Sequence, residues 1–144
     1  MYNCGLLKFR KIGSQSNEKI GYLTPLEFGQ EIPFEVKRLY YIYDVKDNEE
    51  VRGNHSHKQL HQVLICVHGS VDVTLKNFFG EQKYTLQDPS VGLYVGPDNW
   101  REMSNFTEDA VLFVLASEKY DENDYIRDYD SFLEYNQKKY GQKR

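Results

Sequence analysis

The stretch from Gln62 to Lys76 reads QVLICVHGSVDVTLK, and it decides the fold. Its first half, Gln62–His68, is a short apolar run, whereas its second half alternates apolar and polar residues from Val71 onward. Short apolar runs and period-two alternation are both typical of β-strands. Gly69 and Ser70 stand between the two halves as turn residues. The stretch therefore predicts two strands joined as a tight hairpin.

Similar runs recur on both sides of this hairpin, through about the first 117 residues. The further candidate strands are Arg38–Val45, Lys83–Leu86, Gly92–Val95 and Ala110–Ala116. Many short strands at regular spacing, bounded by turn residues, predict an all-β sandwich or barrel.

The pattern changes after Ser117. Apolar side chains recur there at spacings of three and four residues: Tyr125, Ile126, Tyr129, Phe132 and Leu133. Asp121 and Asp124 precede them as candidate helix caps. We therefore expect a C-terminal helix over about residues 121–140, packed on the barrel.

Length and charge limit the classes of function. The chain has 144 residues, which predicts one domain over residues 1–144. Its net charge of -4 does not favour nucleic-acid binding. The apolar pair Leu6–Leu7 is followed at once by Lys8, so we expect no signal peptide and no membrane span, and a cytoplasmic protein. Two cysteines are too few for a disulfide scaffold.

The segment from Arg52 to Lys58, RGNHSHK, carries the candidate chemistry. His55 and His57 are two residues apart, so in a strand both imidazoles project from one face, which in a small barrel can be the interior. His61 follows shortly after. A glycine before the H-x-H pair and another at position 69 resemble the first motif of cupin barrels.

A metal site is one interpretation of this cluster, because His55, His57 and His61 all offer imidazole nitrogens. Arg52 and Arg101, together with Lys58, are an argument against it. Three cations near one cavity oppose a divalent ion and favour an anionic ligand. Residue spacing by itself leaves the metal-dependent cupin open as an alternative.

Longer strings resemble the sugar nucleotide 3,4-ketoisomerases, from about Leu7 to Phe132. The strings are Ile32–Phe34, Lys37–Arg38, Tyr40–Asp44, Arg52–Lys58, Gln62–Cys66, Gly92–Pro97, Trp100, Leu115–Ser117 and Tyr120–Arg127. The resemblance implies a cupin-like jelly-roll barrel that uses no metal and no cofactor. It also implies a homodimer with exchanged N-terminal strands.

The activity that the resemblance implies is conversion of dTDP-4-keto-6-deoxy-D-glucose to its 3-keto isomer, for the biosynthesis of 3-amino-3,6-dideoxyhexoses of glycans such as the lipopolysaccharide O-antigen. That reaction moves a proton from C3 to C4 through an enediolate, and an imidazole suits both transfers. The resemblance makes His55 the base and His57 its assistant, and it matches Tyr41 to an active-site tyrosine. A non-catalytic cupin that binds nucleotide sugars is a further alternative.

Substrate-binding roles are expected for five residues: Arg38, Arg52, Lys58, Trp100 and Arg101. The arginines and the lysine would meet diphosphate or enediolate charge, and Trp100 would either stack on thymine or seal the barrel. Some family members carry histidine after the tryptophan and resemble enzymes that form the galacto product. Because this chain has Arg101 there, the resemblance implies the gluco product.

Overall fold

The computed structural model describes residues 3–13, 21–46 and 51–141. Their strands, in chain order, are β1 (Cys4–Lys8), β2 (Ile12–Gly13), β3 (Tyr22–Leu23), β4 (Arg38–Ile42), β5 (Arg52–His57), β6 (Gln62–His68), β7 (Val71–Asn77), β8 (Gly80–Leu86), β9 (Val91–Val95), β10 (Trp100–Ser104), β11 (Val111–Ala116) and β12 (Tyr125–Ile126). A 3₁₀ turn covers Glu122–Asp124, and the helix α1 covers Tyr129–Tyr140. The expected all-β class with a C-terminal helix is confirmed.

Two five-stranded antiparallel sheets form the body of the fold. One has the order β1-β9-β6-β11-β4, and the other has the order β12-β5-β10-β7-β8. Buried side chains of both sheets, such as Leu64 of β6 and Val73 of β7, share one core cluster. That cluster defines the interior between the sheets, and alternate residues of each strand face it.

The predicted hairpin at Gly69 and Ser70 is wrong, although both of its strands exist. β6 pairs with β9 and β11, whereas β7 pairs with β8 and β10, so the short connection links opposite sheets. Gly69 has a φ of 71°, and a Cβ atom there would come within 2.4 Å of the Thr107 hydroxyl oxygen. The glycine thus permits a sharp corner between the sheets, which strand alternation by itself cannot distinguish from a hairpin.

The predicted helix begins later than expected. Asp128 caps α1 by accepting a hydrogen bond from the Ser131 amide, and the segment before it is extended. Tyr125 and Ile126 pair with β5 instead of forming a first helical turn. Asp121 caps only the 3₁₀ turn. The apolar spacing that predicted one long helix therefore includes a short edge strand. A strand of two residues is too short to show the alternation that would distinguish it from a helix.

Two further layers cover the outer faces of the sheets. The N-terminal segment packs Phe9 and Ile32 on Val63 and Ile65 of the first sheet. On the second sheet, Phe132 of α1 packs against outward-facing side chains, among them Trp100. None of the helices in the described ranges is long and apolar enough to cross a membrane.

Candidate active site

Two histidines of β5 lie side by side in the interior. The ring centroids of His55 and His57 are 4.8 Å apart with an edge-to-face arrangement, and His57 is completely buried. The expectation that the H-x-H spacing places both imidazoles on one face matches this geometry. Gly53 precedes them with a φ of 93° at an irregular stretch of the β5–β10 pairing. His55 is thereby placed directly opposite Arg101 of β10.

A carboxylate that the sequence analysis did not assign to the site holds His57. The Nδ1 atom of His57 lies 3.2 Å from Oδ2 of Asp124. The same carboxylate accepts hydrogen bonds from the main-chain amides of Gln59 and Leu60, at 2.8 and 3.2 Å. An ionised carboxylate only accepts, so Nδ1 of His57 carries the proton and Nε2 presents a lone pair. No residue in the described ranges hydrogen-bonds to that Nε2 atom.

Tyr125 forms an aromatic wall beside the histidines. Its ring centroid lies 5.0 Å from that of His55 and 4.3 Å from that of His57. The guanidinium of Arg127 lies 4.2 Å from the centre of the same ring, and Glu122 holds that guanidinium with two hydrogen bonds. The apolar spacing predicted a helix through Tyr125, and only the pairing of Tyr125 with β5 reveals its position at the site.

Arg101 supplies an unneutralised positive charge in the interior. It is 2% exposed, and its Nη1 atom donates to Oε1 of Gln62. Its Nε and Nη2 atoms have no hydrogen-bond partner in the part of the chain that the structure describes. Burial lowers the pKa of Arg101 to about 10, so it is still a cation at neutral pH. A buried cation with two free donors is suited to an anionic group.

Burial also keeps both histidines neutral. It lowers the pKa of His55 to about 3, and the positive charges of Arg101 and Arg127 act in the same direction. The pKa of His57 is lowered by burial and then by Arg101. At neutral pH each imidazole is therefore uncharged and keeps a nitrogen lone pair.

A cavity of about 610 Å³ opens beside His57. Arg38, Tyr120, Asp124 and Tyr125 are among the residues that line it. The guanidinium carbon of Arg38 lies 5.7 Å from the centre of the Tyr120 ring. The structure thus brings Arg38 to the same cavity as His57.

Tyr41 does not face this interior. It is 54% exposed and stacks with Tyr43 and Phe113 on the outer face of the first sheet. Successive residues of a strand point to opposite faces, so its neighbour Tyr40 is the tyrosine that faces inward. Tyr40 accepts a hydrogen bond from Gln62 there. The structure therefore does not bring Tyr41 together with His55 and His57.

Trp100 does not line the site either. It is 3% exposed, and its ring packs against Tyr129 and Phe132 of α1, with centroids 5.1 and 5.6 Å apart. Its indole N–H donates to Glu102. Because Trp100 and Arg101 are adjacent in β10, only one of them can point inward, and the structure gives that position to Arg101. This packing favours the sealing role of Trp100 over stacking on thymine.

The two remaining cations are exposed. Arg52 begins β5, and Lys58 follows its last residue. Only the main-chain amide of Lys58 approaches the site, donating to the Asp124 carbonyl. Neither side chain borders the cavity beside His57.

His61 lies apart from the other two histidines. Its Nδ1 atom is 2.7 Å from the Tyr94 hydroxyl, and its ring packs beside Phe34 on the outer side of the first sheet. The three imidazoles of the metal-dependent alternative are thus not brought together. Among the residues that the structure describes, no group of three histidine, cysteine or acidic side chains has the geometry of a metal site.

Comparison with known proteins gives close matches over nearly the whole chain. Residues 2–137 match the model of the family described as "FdtA: WxcM-like, C-terminal". The chain is 49% identical over 130 residues to the TDP-4-oxo-6-deoxy-alpha-D-glucose-3,4-oxoisomerase of Aneurinibacillus thermoaerophilus, and the match covers 90% of each protein.

Solved structures agree with these matches. The 3,4-ketoisomerase QdtA from Thermoanaerobacterium thermosaccharolyticum, a histidine-to-asparagine mutant in complex with TDP-4-keto-6-deoxyglucose, is 51% identical, with a TM-score of 0.90 and coverage of 99% of both chains. The WlaRB TDP-quinovose 3,4-ketoisomerase from Campylobacter jejuni is 46% identical, with a TM-score of 0.85 and coverage of 93% of this chain and 99% of that one. The chain therefore belongs to the sugar nucleotide 3,4-ketoisomerase family that its RGNHSHK segment resembles.

Proposed function

We propose that this chain converts TDP-4-keto-6-deoxyglucose to its 3-keto isomer. The observation that carries the proposal is the neutral imidazole pair of His55 and His57 opposite the buried cation Arg101. The reaction needs a base for a carbon-bound proton and a positive charge for an enediolate, and this site offers both. The names of the Aneurinibacillus relative and of QdtA support the same substrate.

The positions of the site residues support the roles that we propose for them. His55 takes the C3 proton and returns it to C4, since it faces Arg101 across the strand pair. Arg101 stabilises the negative oxygen of the enediolate through its free Nε and Nη2 donors. His57 assists with its Nε2 lone pair, and Asp124 positions it. Arg38 binds the charged part of the nucleotide at the cavity beside His57.

The gluco configuration is the proposed outcome at C4. Once the enediolate forms, C4 is planar, and the face that receives the proton sets the configuration. A histidine at position 101 could deliver a proton from the face opposite His55. Arg101 stays a cation and is a poor proton donor, so return of the proton by His55 preserves the gluco configuration.

The wider setting is also part of the proposal. The 3-keto product would serve an aminotransferase on the way to a 3-amino-3,6-dideoxyhexose, in the cytoplasm where sugar nucleotides are made. We further propose a homodimer with exchanged N-terminal strands. In the described chain β1 occupies the edge of the first sheet beside β9, and Leu6 of β1 is 54% exposed there. An exchange would place the partner's first strand on that edge.

Incubation with TDP-4-keto-6-deoxyglucose in deuterated water, followed by NMR, tests the proposal. We expect the 3-keto isomer to form. Deuterium should appear at C4 to the extent that the proton taken from C3 exchanges with solvent before it is returned. An added chelator should not prevent formation of the isomer. Absence of product, or activity that depends on an added metal ion, would contradict the proposal. Binding of the nucleotide sugar without turnover would favour the non-catalytic alternative.

A further inference from the structure

Asn3, the residue before β1, is anchored in the β9–β10 loop (residues 96–99). Its main-chain oxygen accepts hydrogen bonds from the Gly96 amide at 2.8 Å and from the Asn99 side chain at 3.1 Å. Its own Nδ2 atom donates to the Pro97 carbonyl at 3.1 Å. The contact is so close that a Cβ atom added to Gly96 would lie 2.4 Å from Nδ2 of Asn3. Asn3 therefore holds this loop through its main chain and through its side chain.

Both ends of the Asn3 amide have a partner that fixes its orientation. A carbonyl oxygen only accepts, so the NH₂ end must face Pro97, and Oδ1 then accepts from the Tyr94 hydroxyl at 3.3 Å. The loop itself is braced by Asn99, which is completely buried. The Nδ2 atom of Asn99 donates to carbonyls of the loop, and its Oδ1 atom accepts from Asn77 of β7 at 2.9 Å. A loop braced in this way moves as a unit.

The same loop also holds the main chain of His57. The Asp98 amide donates to the His57 carbonyl at 2.9 Å, at the end of β5. Asp98 has a φ of 70° and is 3% exposed. Its Oδ2 atom accepts hydrogen bonds from Lys139 and Tyr140 of α1, which fix the residue against the helix. A shift of the loop therefore reaches His57 through a single hydrogen bond.

We propose that Asn3 is a positioning residue for the isomerisation, and that it holds His57 in place through the β9–β10 loop. This inference rests on the proposed function. Neither Asn3 nor the loop is among the residues that line the cavity beside His57. Replacement of Asn3 should therefore move His57 and leave the proposed nucleotide-binding residue Arg38 unchanged. Misplacement of a reacting group by about 1 Å can cost about 10² in rate, so a smaller shift is enough for a measurable loss of kcat.

Asn3→Gly is the test variant, and Asn105→Gly is its matched control. Both asparagines have a φ of 55°, which glycine adopts without strain. Asn105 also donates a side-chain hydrogen bond, to Asp72, and it follows β10 at the end remote from the β9–β10 loop. We expect Asn3→Gly to lower kcat by about tenfold, while KM and the Kd for TDP change by less than about twofold. Asn105→Gly should keep wild-type kcat.

Three results of this comparison overturn the inference. They are wild-type kcat in Asn3→Gly, an equal loss of kcat in Asn105→Gly, and a loss that lies in KM alone. Asn3→Asp, which keeps the size of the side chain but cannot donate to Pro97, gives the same comparison if Asn3→Gly does not fold. Circular dichroism and thermal unfolding of each variant show whether a lost kcat reflects lost folding.

Crowding at Gly96 tests whether Asn3 acts through the loop. The three heavy atoms nearest to an added Cβ atom all belong to the Asn3 side chain, and the φ of Gly96 is not positive. Gly96→Ala should therefore displace the loop and lower kcat. Asn3→Gly removes all three contacts, so the double variant should have the kcat of Asn3→Gly alone and not the product of the two losses. Losses that multiply, or wild-type kcat in Gly96→Ala, would overturn the path through the loop.

Imidazole nitrogen NMR of His57 separates the inference from the proposed function, because it does not depend on turnover. The His57 resonances should shift in Asn3→Gly and stay in place in Asn105→Gly. Resonances that stay in place in both variants overturn the inference, even where the wild type turns over TDP-4-keto-6-deoxyglucose. An inactive wild type contradicts the proposed function, and shifted resonances in Asn3→Gly would then still show that Asn3 positions His57.

Discussion

Asp124 and His57 are 67 positions apart in sequence, yet their side chains meet at 3.2 Å in the interior. The strand pair β12–β5 brings them together, since Tyr125 lies opposite His57. The carboxylate is itself fixed by the amides of Gln59 and Leu60. This arrangement assigns one tautomer to the imidazole and holds its ring in one orientation.

Replacement of Asp124 by asparagine should disturb that tautomer. The carboxylate accepts from three N–H groups, whereas an asparagine must direct its NH₂ toward one of them. We expect kcat of Asp124→Asn to fall by about 10²-fold, the low end of the range for acid-base groups. Imidazole nitrogen NMR of His57 reports the tautomer directly. Wild-type kcat with an unchanged tautomer would show that Asp124 has only a structural role.

The buried neutral histidine makes stability depend on pH. The pKa of His57 is lowered by the fold, so below its ordinary value near 6.5 the unfolded chain binds a proton that the folded chain does not. Stability is therefore lost as pH falls below about 6.5, at up to about 1.4 kcal/mol per pH unit from this residue. Urea unfolding of His57→Gln between pH 7 and 5 should show a smaller slope against pH than wild type.

The control for this experiment is His68, whose side chain is 67% exposed beside Asp109. We expect His68→Gln to keep the pH slope of the wild type. Equal slopes for His57→Gln and the wild type would mean that His57 titrates normally in the folded protein.

Trp100 should matter for stability and little for nucleotide binding. Its ring fills the layer between β10 and α1, where it contacts Tyr129 and Phe132. Trp100→Ala should reduce the free energy of unfolding by about 3 to 5 kcal/mol. Trp100→Phe keeps part of the packing, and the Kd for TDP of this folded variant should stay near that of wild type. A Kd raised by a factor of ten or more in calorimetry would restore the stacking role.

The configuration of the product tests the role of Arg101 at C4. We expect the wild-type enzyme to give the gluco product, because the proton returns from the His55 side. Proton couplings at H4 and H5, measured before chemical epimerisation, distinguish it from the galacto product. A galacto product from wild type contradicts this account. If the gluco product is found, Arg101→His should give some galacto product, and failure to do so would show that one imidazole does not redirect the proton.

The sequence predicted those parts of the site that depend on short-range periodicity. The two-residue spacing was enough to place His55 and His57 together, and the six strands with expected bounds, β4, β6 to β9 and β11, lie within three residues of them. A period of two says that neighbours face opposite sides without saying which side is inside. Tyr41 came to the site only through the resemblance, and the structure turns its neighbour Tyr40 inward, together with the expected Arg101.

Long-range pairing was the part that the sequence could not supply. Asp124 looks like a helix cap when only its neighbours are considered, and nothing in its spacing points to His57. The edge strand of Tyr125 and Ile126 has two residues, too few to show alternation. The sequence at the Gly69 corner resembles that of a hairpin. Which strands pair there depends on the packing of the two sheets and not on the turn itself.

The central claim is that the neutral His55 imidazole is the base. Its most direct test is the rate at which the variant His55→Asn exchanges the C3 proton of the substrate. An amide cannot accept this proton near neutral pH, so exchange at C3 and formation of the 3-keto isomer should both fall by about 10² to 10⁴, while TDP still binds. The measurement is NMR of TDP-4-keto-6-deoxyglucose in deuterated water, with wild type alongside. Exchange and isomerisation at more than about a tenth of the wild-type rates would contradict the account, because another residue would then be the base.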